Sequence, residues 1–374
     1  MNEEKKRLTE VEPRWSSYFH AKGNALGLPV AGNFELTTRC NFSCKMCYVH
    51  ENENKDELTA EEWIELGRSA ASAGMVFLLL TGGEPFIRPD FKEIYSGLKK
   101  LGLLISINTN GSLLDDDMIA FLAKDPPLRM NISLYGASDE TFSDLCGQPS
   151  YERVTENIKK LISAGIQVKI NSSITPYNAC DIEGIYRFGD EVGVPVKATT
   201  YMFPPVRVNG CKYGTAPHRF TPEEAAAYML KCQEQYLTPE QLANSYIEDA
   251  GDEDECTDGI GDKMHCRAGK TAFWVTWDGR MLPCGMFPME GYKISEHGFM
   301  GAWKKVREFC SEMRLPAKCS NCKYKTKCAA CAAACITETG STSEVPEYVC
   351  KMTHMLDALK ERKYKKGETP DESK

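Results

Sequence analysis

Three cysteines stand on one short stretch, Cys40-Asn41-Phe42-Ser43-Cys44-Lys45-Met46-Cys47. Thiolates so closely spaced can converge on one metal centre. A cubane [4Fe–4S] cluster normally takes four cysteines, so three ligands would leave one iron open. An open coordination position generally marks a reactive metal rather than a structural one. A zinc site completed by His50, from Cys47-Tyr48-Val49-His50, fits the same spacing and is the alternative on these residues alone. A second constellation lies towards the C-terminus: Cys256, Cys266, Cys284, then Cys319-x2-Cys322-x5-Cys328, Cys331, Cys335 and Cys350. One or two zinc knuckles are the plain reading there. The chain has 17 cysteines, an odd number, and no apolar segment follows the charges of its first ten residues, MNEEKKRLTE. Metal ligands in a reducing, cytoplasmic setting are therefore expected over disulfides. Cys146, Cys180, Cys211, Cys232 and Cys310 have no assigned partner and read as small buried apolar residues.

The elements that must position these cysteines read as repeated strand–helix units. Apolar, β-branched-rich runs at Phe34–Arg39, Val76–Thr81, Leu103–Thr109, Arg129–Tyr135, Val168–Thr175 and Val196–Phe203 predict strands. Helices are predicted from Thr59, where Thr59-Ala60-Glu61-Glu62 is a capping box, and over about Asp90–Leu101, Asp115–Lys124, Tyr151–Ala164 and Ile182–Val192. Gly102, Gly165 and Gly193 fall where left-handed helix caps are wanted. The fold class is α/β with a parallel sheet, either open and doubly wound or an incomplete barrel. In both, chemistry belongs at the C-terminal ends of the strands. Thr221 and the Pro-Glu-Glu-Ala-Ala-Ala after it start another helix, followed by an acidic loop from Glu248 to Asp258. The segment beyond reads as a second domain organised by metal rather than by a large apolar core. The expected units are an N-terminal extension, 1–33; a barrel or sheet domain, 34–240; a cysteine-rich domain, 241–358; and a charged tail, 359–374, frayed and then disordered.

The 374 residues are 42% apolar and 26% charged, ordinary for a globular protein. Lys and Arg number 45 against 53 Asp and Glu, a net charge of −8, which disfavours nucleic acid as a partner. No apolar run approaches the ~20 residues of a membrane-spanning helix, so no membrane association is expected.

The cysteine loop, directly after the first predicted strand, resembles that of the radical S-adenosylmethionine (radical SAM) enzymes. The second strand ends in Thr81-Gly82-Gly83-Glu84-Pro85, similar to the family segment that binds the cofactor's methionine amino group. Glycines let a backbone approach a ligand, and a carboxylate complements an ammonium. The resemblance implies a partial (β/α)6 TIM-like barrel. It implies a [4Fe–4S] cluster on Cys40, Cys44 and Cys47 that binds S-adenosylmethionine. Tyr48, Gly82, Gly83, Glu84, Asn110 and Ser133 are implied at the cofactor, with Asn171 or Ser173 from the fifth strand. Two departures stand out: Met46 where the family often has an aromatic residue, and Leu145-Cys146-Gly147 where many relatives carry Arg-Gly.

The C-terminal cysteines resemble the SPASM extension of peptide- and protein-maturing members, which carries two auxiliary [4Fe–4S] clusters. By that resemblance Cys319, Cys322, Cys328 and Cys350 hold the distal cluster. Cys256, Cys266 and Cys284 hold the nearer one, with a fourth ligand from Cys331 or Cys335; the family spacing would put it at Ala332, and Cys331 is favoured.

The implied reaction is reductive cleavage of S-adenosylmethionine to a 5′-deoxyadenosyl radical that abstracts hydrogen from the substrate. An electron donor such as flavodoxin or ferredoxin is implied. The expected substrate is a ribosomally made peptide, crosslinked through a thioether or carbon–carbon bond or otherwise altered. A leader-binding module is expected to be absent or supplied as a separate protein. Tyr201 or Arg207, after the sixth strand, could meet substrate or merely pack. A sulfatase-maturing enzyme that makes formylglycine is the alternative; some of these place an acidic residue where this chain has Gly285. A non-catalytic iron–sulfur carrier or zinc adaptor leaves Gly82-Gly83-Glu84-Pro85 unexplained.

Overall fold

The computed structural model describes residues 14–48, 56–206, 218–244, 264, 266–325 and 327–365. After helix α1 (Arg14–Leu26) come β1 (Ala31–Glu35), α2 (Ala60–Ser72), β2 (Phe77–Thr81), α3 (Phe91–Lys99), β3 (Leu104–Thr109), α4 (Asp116–Lys124) and β4 (Arg129–Ser133). Then follow α5 (Asp139–Cys146), α6 (Tyr151–Ser163), β5 (Val168–Ser173), α7 (Ile182–Val192), β6 (Val196–Thr199), α8 (Pro222–Gln233) and α9 (Pro239–Asn244). The C-terminal part adds β7 (Ala272–Val275), β8 (Arg280–Leu282), β9 (Tyr292–Lys293), α10 (Ile294–Glu312), α11 (Ala317–Ser320), α12 (Ala332–Thr339) and α13 (Glu347–Lys360).

The strands form one sheet in the order β6-β5-β4-β3-β2-β1-β7-β8-β9, parallel from β6 to β7 and antiparallel beyond. One face is apolar and buried: Leu78, Leu80, Ile105, Ile107, Met130, Ile132 and Ile170. The alternate residues Ser106, Asn108, Asn131, Ser133, Asn171 and Ser173 face the other way, as the period of two requires. A parallel sheet covered by helices on both faces would be apolar on both. The polar face therefore lines a lumen. The capping box at Thr59 is present, with Glu62 N–H on its hydroxyl and the Glu62 carboxylate on its N–H.

Several helices escaped the sequence reading: α1 and α5, and in the C-terminal part α9 to α12, of which α10 runs for 19 residues where only short turns are expected. Within the expected extension, α1 docks through Trp15 on Phe77 (ring centroids 5.4 Å apart) and His20 Nδ1 on Thr271 Oγ1 (2.8 Å). Helix α5 is short, and Ser138 caps it by accepting from Thr141 N–H.

The expectation that metal alone organises the C-terminal part needs correction. Strand β7 pairs in parallel with β1, Phe34 opposite Val275, and Phe273 packs against Phe34, Phe299 and Trp303 in the barrel's own core. An unpaired edge on β1 would leave its N–H and C=O groups unsatisfied, and β7 covers it. The tail is tied down at its start: Lys363 and the Tyr364 hydroxyl both meet Glu234, the residue that caps the C-terminus of α8, at 2.8 and 2.7 Å. Residues 366–374 of the expected tail lie outside the described residues. Among the described residues no helix is long and apolar enough to cross a membrane.

Candidate active site and cysteine centres

Strand β1 ends at Glu35, but the chain runs on beside the end of β2. Leu36 N–H donates to Thr81 O, Gly83 N–H to Thr37 O and Glu84 N–H to Arg39 O, all at 2.8 Å. This double-stranded extension delivers the cysteine loop to the C-terminal edge of the sheet. The contact is too close for side chains. A Cβ on Gly82 would lie 2.5 Å from Thr37 O, and one on Gly83 would lie 2.2 Å from Arg39 O. The two glycines thus let the chain approach its own backbone, not only a ligand.

The far side of the loop rests on α5. Ser43 N–H donates to Cys146 O (3.0 Å) and Lys45 N–H to Leu145 O (2.9 Å), while Gln148 Nε2 donates to Asn41 O (2.7 Å). A Cβ on Gly147 would meet Ser43 Oγ at 2.2 Å. Leu145-Cys146-Gly147, the departure from the family's Arg-Gly, is the seat of the cysteine loop.

Cys40 Sγ accepts from Phe42 N–H (3.4 Å) and from Asn110 Nδ2 (3.8 Å). Burial pushes the Cys40 thiol up to about 12, and the nearby Glu84 and Cys44 add to the rise. The hydrogen bond between Cys44 and Cys146, and then burial, raise the Cys44 thiol well above its ordinary value. Crowded, half-buried thiolates are unfavourable by themselves; a cationic metal centre offsets that cost and favours their deprotonation. The donor set therefore fits an iron–sulfur cluster.

Glu84 is fully buried. Its carboxylate accepts from Asn110 N–H (2.7 Å), Phe86 N–H (3.1 Å) and the Thr109 hydroxyl (2.8 Å). Burial lifts its pKa to about 7, against the pull of those hydrogen bonds. Glu84 thus ties the end of β2 to the end of β3 and sets Asn110 in place. Asn110 Nδ2 also donates to Asn41 Oδ1 (2.9 Å), and Asn110 Oδ1 accepts from Ser112. Ser133 hydrogen-bonds Tyr135, whose hydroxyl lies within electrostatic reach of Cys44 and Cys47 and is raised chiefly by burial. Tyr48 is half-buried directly after the loop. The structure thus gathers Cys40, Cys44, Cys47, Gly82, Gly83, Glu84, Asn110 and Ser133 at one end of the sheet. Asn171 and Ser173 line an open cavity beside them.

Tyr201 packs. It is 8% exposed, and its hydroxyl donates to Glu338 Oε1 at 2.8 Å. Glu338 also receives both guanidinium nitrogens of Arg219, at 2.7 and 3.0 Å. Arg207, His50 and Cys256 lie outside the described residues.

Among the C-terminal cysteines, Cys319, Cys322, Cys328 and Cys350 line one cavity, with Tyr324 and His354. Burial raises the Cys319 thiol, and Cys328, Cys322 and Cys350 add to the rise. No three His, Cys, Asp or Glu among the described residues close tightly enough for a single metal ion. The four cysteines border the same cavity, and four thiolates are the usual ligand set of a [4Fe–4S] cluster. Cys284 is pushed up to about 12 by burial, and it feels Cys331 and Cys266. Cys331 caps α12, its sulfur accepting from Ala334 N–H at 3.4 Å, while Cys335 is buried on that helix. Of the pair, Cys331 is the one that shares electrostatics with Cys284.

Sequence reasoning missed three residues. Arg88, 5% exposed in its side chain, donates to Leu36 O and Leu58 O (both 2.9 Å) and pairs with Asp90 and Glu57, locking the approach to the cysteine loop. Its motif, Phe86-Ile87-Arg88-Pro89-Asp90, carries no local signal for this. Of the five cysteines expected to be plain buried residues, Cys146, Cys232 and Cys310 are buried, Cys180 is exposed and Cys211 lies outside the described residues; Cys146 and Cys310 also have cysteine neighbours. Cys146 hydrogen-bonds Cys44, and burial leaves Cys310 beside Cys266 and Cys284.

Residues 34–189 match the family model described as Radical SAM superfamily. The chain carries a radical SAM domain. It is an enzyme of that superfamily, whose members bind a [4Fe–4S] cluster and S-adenosylmethionine. An AdoMet-dependent heme synthase of Methanosarcina barkeri is 28% identical over 340 residues, covering 84% of this chain and 94% of that protein. A probable GTP 3′,8-cyclase of Sulfurisphaera tokodaii is 35% identical over 163 residues, 42% of this chain and 51% of that protein. Streptococcus suis SuiB bound to precursor peptide SuiA shares the fold with a TM-score of 0.67 at 18% identity, covering 90% of this chain and 80% of SuiB. Native anSMEcpe with bound AdoMet gives 0.68 at 15%, covering 88% of this chain and 97% of that one. Of the two arrangements open in the sequence, the radical SAM fold is the TIM-like partial barrel. The structural likeness runs through the cysteine-rich C-terminal part as well.

Proposed function

We propose that this radical SAM enzyme holds a [4Fe–4S] cluster on Cys40, Cys44 and Cys47, cleaves S-adenosylmethionine reductively, and removes hydrogen from a peptide bound in the barrel lumen. When bound, the cluster supplies one electron to the sulfonium and the radical chemistry that follows. The observation that carries the reading is the three-cysteine loop, held on both sides by backbone hydrogen bonds at the C-terminal end of a polar lumen. Gly82 and Gly83 keep the loop against β2. Glu84 holds Asn110 so that its amide meets Cys40 and Asn41. Ser133, Tyr135 and Tyr48 complete the rim over which the cofactor would lie. The cavity ringed by Cys319, Cys322, Cys328 and Cys350 supports a distal auxiliary cluster. Cys256, Cys266, Cys284 and Cys331 would hold the nearer one, with Cys335 as a buried neighbour.

The peptide reading rests on the shared fold of SuiB and anSMEcpe, both solved with peptides. The formylglycine alternative is weakened at Gly285. A Cβ there would lie 2.9 Å from the Trp274 ring, so the acidic residue some sulfatase maturases carry has no room. The 28% identity to a heme synthase across 94% of its length favours a second reading, a tetrapyrrole-type substrate.

Anaerobic reconstitution, followed by S-adenosylmethionine and dithionite, tests the core claim. Release of 5′-deoxyadenosine is expected, and the C40A/C44A/C47A variant should drop to background while keeping iron in the C-terminal part. Cleavage retained by that variant would sink the assignment. Loss of two hydrogens from a peptide encoded by a neighbouring reading frame supports the first substrate reading; formation of haem supports the second.

A further inference from the structure

We infer that Cys146 is a positioning residue for the centre on the cysteine loop: its thiol hydrogen-bonds the sulfur of Cys44 and makes a cluster held there easier to reduce. The inference rests on the proposed ligand set Cys40, Cys44 and Cys47 and adds to it a neighbour that is not itself a ligand.

Every residue from Asp144 to Gln148, at and just past the end of α5, holds the loop. Asp144 Oδ1 pairs with Lys45 Nζ (2.6 Å), Leu145 O accepts from Lys45 N–H (2.9 Å) and Cys146 O accepts from Ser43 N–H (3.0 Å). Gly147 lies so close to Ser43 that a Cβ on it would meet Oγ at 2.2 Å, and Gln148 Nε2 donates to Asn41 O (2.7 Å). The two segments therefore run antiparallel, 41 to 45 against 148 to 144, and Cys44 falls opposite the step from Leu145 to Cys146. Gly147 ends the helix in the left-handed region, φ 84°, which only glycine adopts without strain and which fixes this register. Cys146 is 0% exposed, Cys44 is half-buried, and the two side chains are hydrogen-bonded.

Which sulfur donates depends on what Cys44 carries. As a thiolate ligand Cys44 has no proton and only accepts. Cys146 belongs to none of the proposed ligand sets, and an ordinary thiol keeps its proton at neutral pH. The S–H of Cys146 is then the donor. A thiol donates weakly in water, but a hydrogen bond sealed from solvent is electrostatically stronger. Hydrogen bonds to the sulfurs of an iron–sulfur centre favour its more negative, reduced form and so raise its potential. Cys40 has donors of other kinds, Phe42 N–H at 3.4 Å and Asn110 Nδ2 at 3.8 Å. The donor to Cys44 comes from α5, so one substitution removes it and leaves the loop's own backbone intact.

A redox titration of the anaerobically reconstituted enzyme, followed by electron paramagnetic resonance, tests this. The signal to follow is the one absent from C40A/C44A/C47A. Cys146→Ala should lower the midpoint potential, so that the reduced-to-oxidised ratio at a fixed potential falls roughly threefold to tenfold, about 30–60 mV for one electron. Cys146→Ser restores a donor of similar size and should bring the potential back towards that of the unsubstituted enzyme. Cys232→Ala, which removes a buried thiol from α8, should leave it unchanged. Should Cys146→Ala lose iron, Cys146→Val, nearer the thiol in volume and without a donor, takes its place. An unchanged potential in the donor-less variant, or equal shifts with Ala and Ser, overturns the inference, since packing alone would not tell a hydroxyl from a methyl. Loss of iron from both donor-less variants overturns it too, because Cys146 would then serve assembly and not potential. If C40A/C44A/C47A keeps every signal, the ligand assignment falls and takes the inference with it. If that variant loses a signal that titrates alike in Cys146→Ala and the unsubstituted enzyme, the role of Cys146 alone falls.

Discussion

The two cysteine regions are held in different ways. The loop from Cys40 to Cys47 is wedged between the backbone of the β2 end and the C-terminus of α5, with partners far away in sequence. The stretch from Cys319 to Cys328 is held mainly by turns: Cys322 N–H to Cys319 O, Lys325 N–H to Cys322 O and Lys327 N–H to Tyr324 O. Short turns supply little apolar burial, and a metal centre then contributes much of the folding free energy. The first site is shaped by the fold before any metal arrives. The second has fewer such long-range holds, chiefly Arg219 on Glu338, and a metal centre there would supply much of its local order.

Iron removal should separate the two most sharply. Chelation is expected to strip amide-exchange protection from 319–350 while β1 to β4 keep theirs. Simultaneous loss in both regions would break the contrast. Next in size, Arg219→Met should destabilise by about 3–5 kcal/mol, because it strands the Glu338 carboxylate, whose side chain is 9% exposed. Denaturant unfolding measures this, and a change under 1 kcal/mol would show that the clamp is dispensable. Gly83→Ala drives a Cβ into Arg39 O and should cost about 1–3 kcal/mol while reducing S-adenosylmethionine cleavage. Full cleavage by that variant would mean the loop is looser than its contacts imply.

A smaller effect concerns pH. Burial raises the Glu84 carboxyl from its ordinary 4.5 to about 7 in the fold. The folded state therefore holds its proton more tightly than the unfolded chain does. The stability from that proton is complete below pH 4.5 and is lost as pH rises through about 7. Thermal melts of Glu84→Gln across this window should lack that part of the decline; an unchanged slope would place the titration elsewhere. Least of all, Lys92→Met, which removes an exposed pair with Asp117, should leave the melting temperature where it was.

Much of the barrel was legible because its signals are local. The Thr59 capping box, the strand–helix alternation and the left-handed glycines at 102, 165 and 193 depend only on neighbours in the chain. The three-cysteine loop and the Gly-Gly-Glu-Pro turn were readable for the same reason. Helix α5 was not, because Ser138 and its acidic first turn look like any polar loop. The reason for Gly83 was only half read: the sequence calls for a close approach, but the partner proved to be Arg39 of the same chain. The sulfur-to-sulfur contact of Cys44 with Cys146 spans about a hundred residues and leaves no mark in either neighbourhood.

By itself the sequence determined the periodicities, the turns and the types of chemistry, since those follow from residues within a few positions of one another. Only the tertiary structure decided that β7 closes the edge of β1, that α5 seats the cysteine loop, and that Cys146 meets Cys44. Sheet register and long-range packing bring together side chains that no local pattern relates, and a site is made of such meetings.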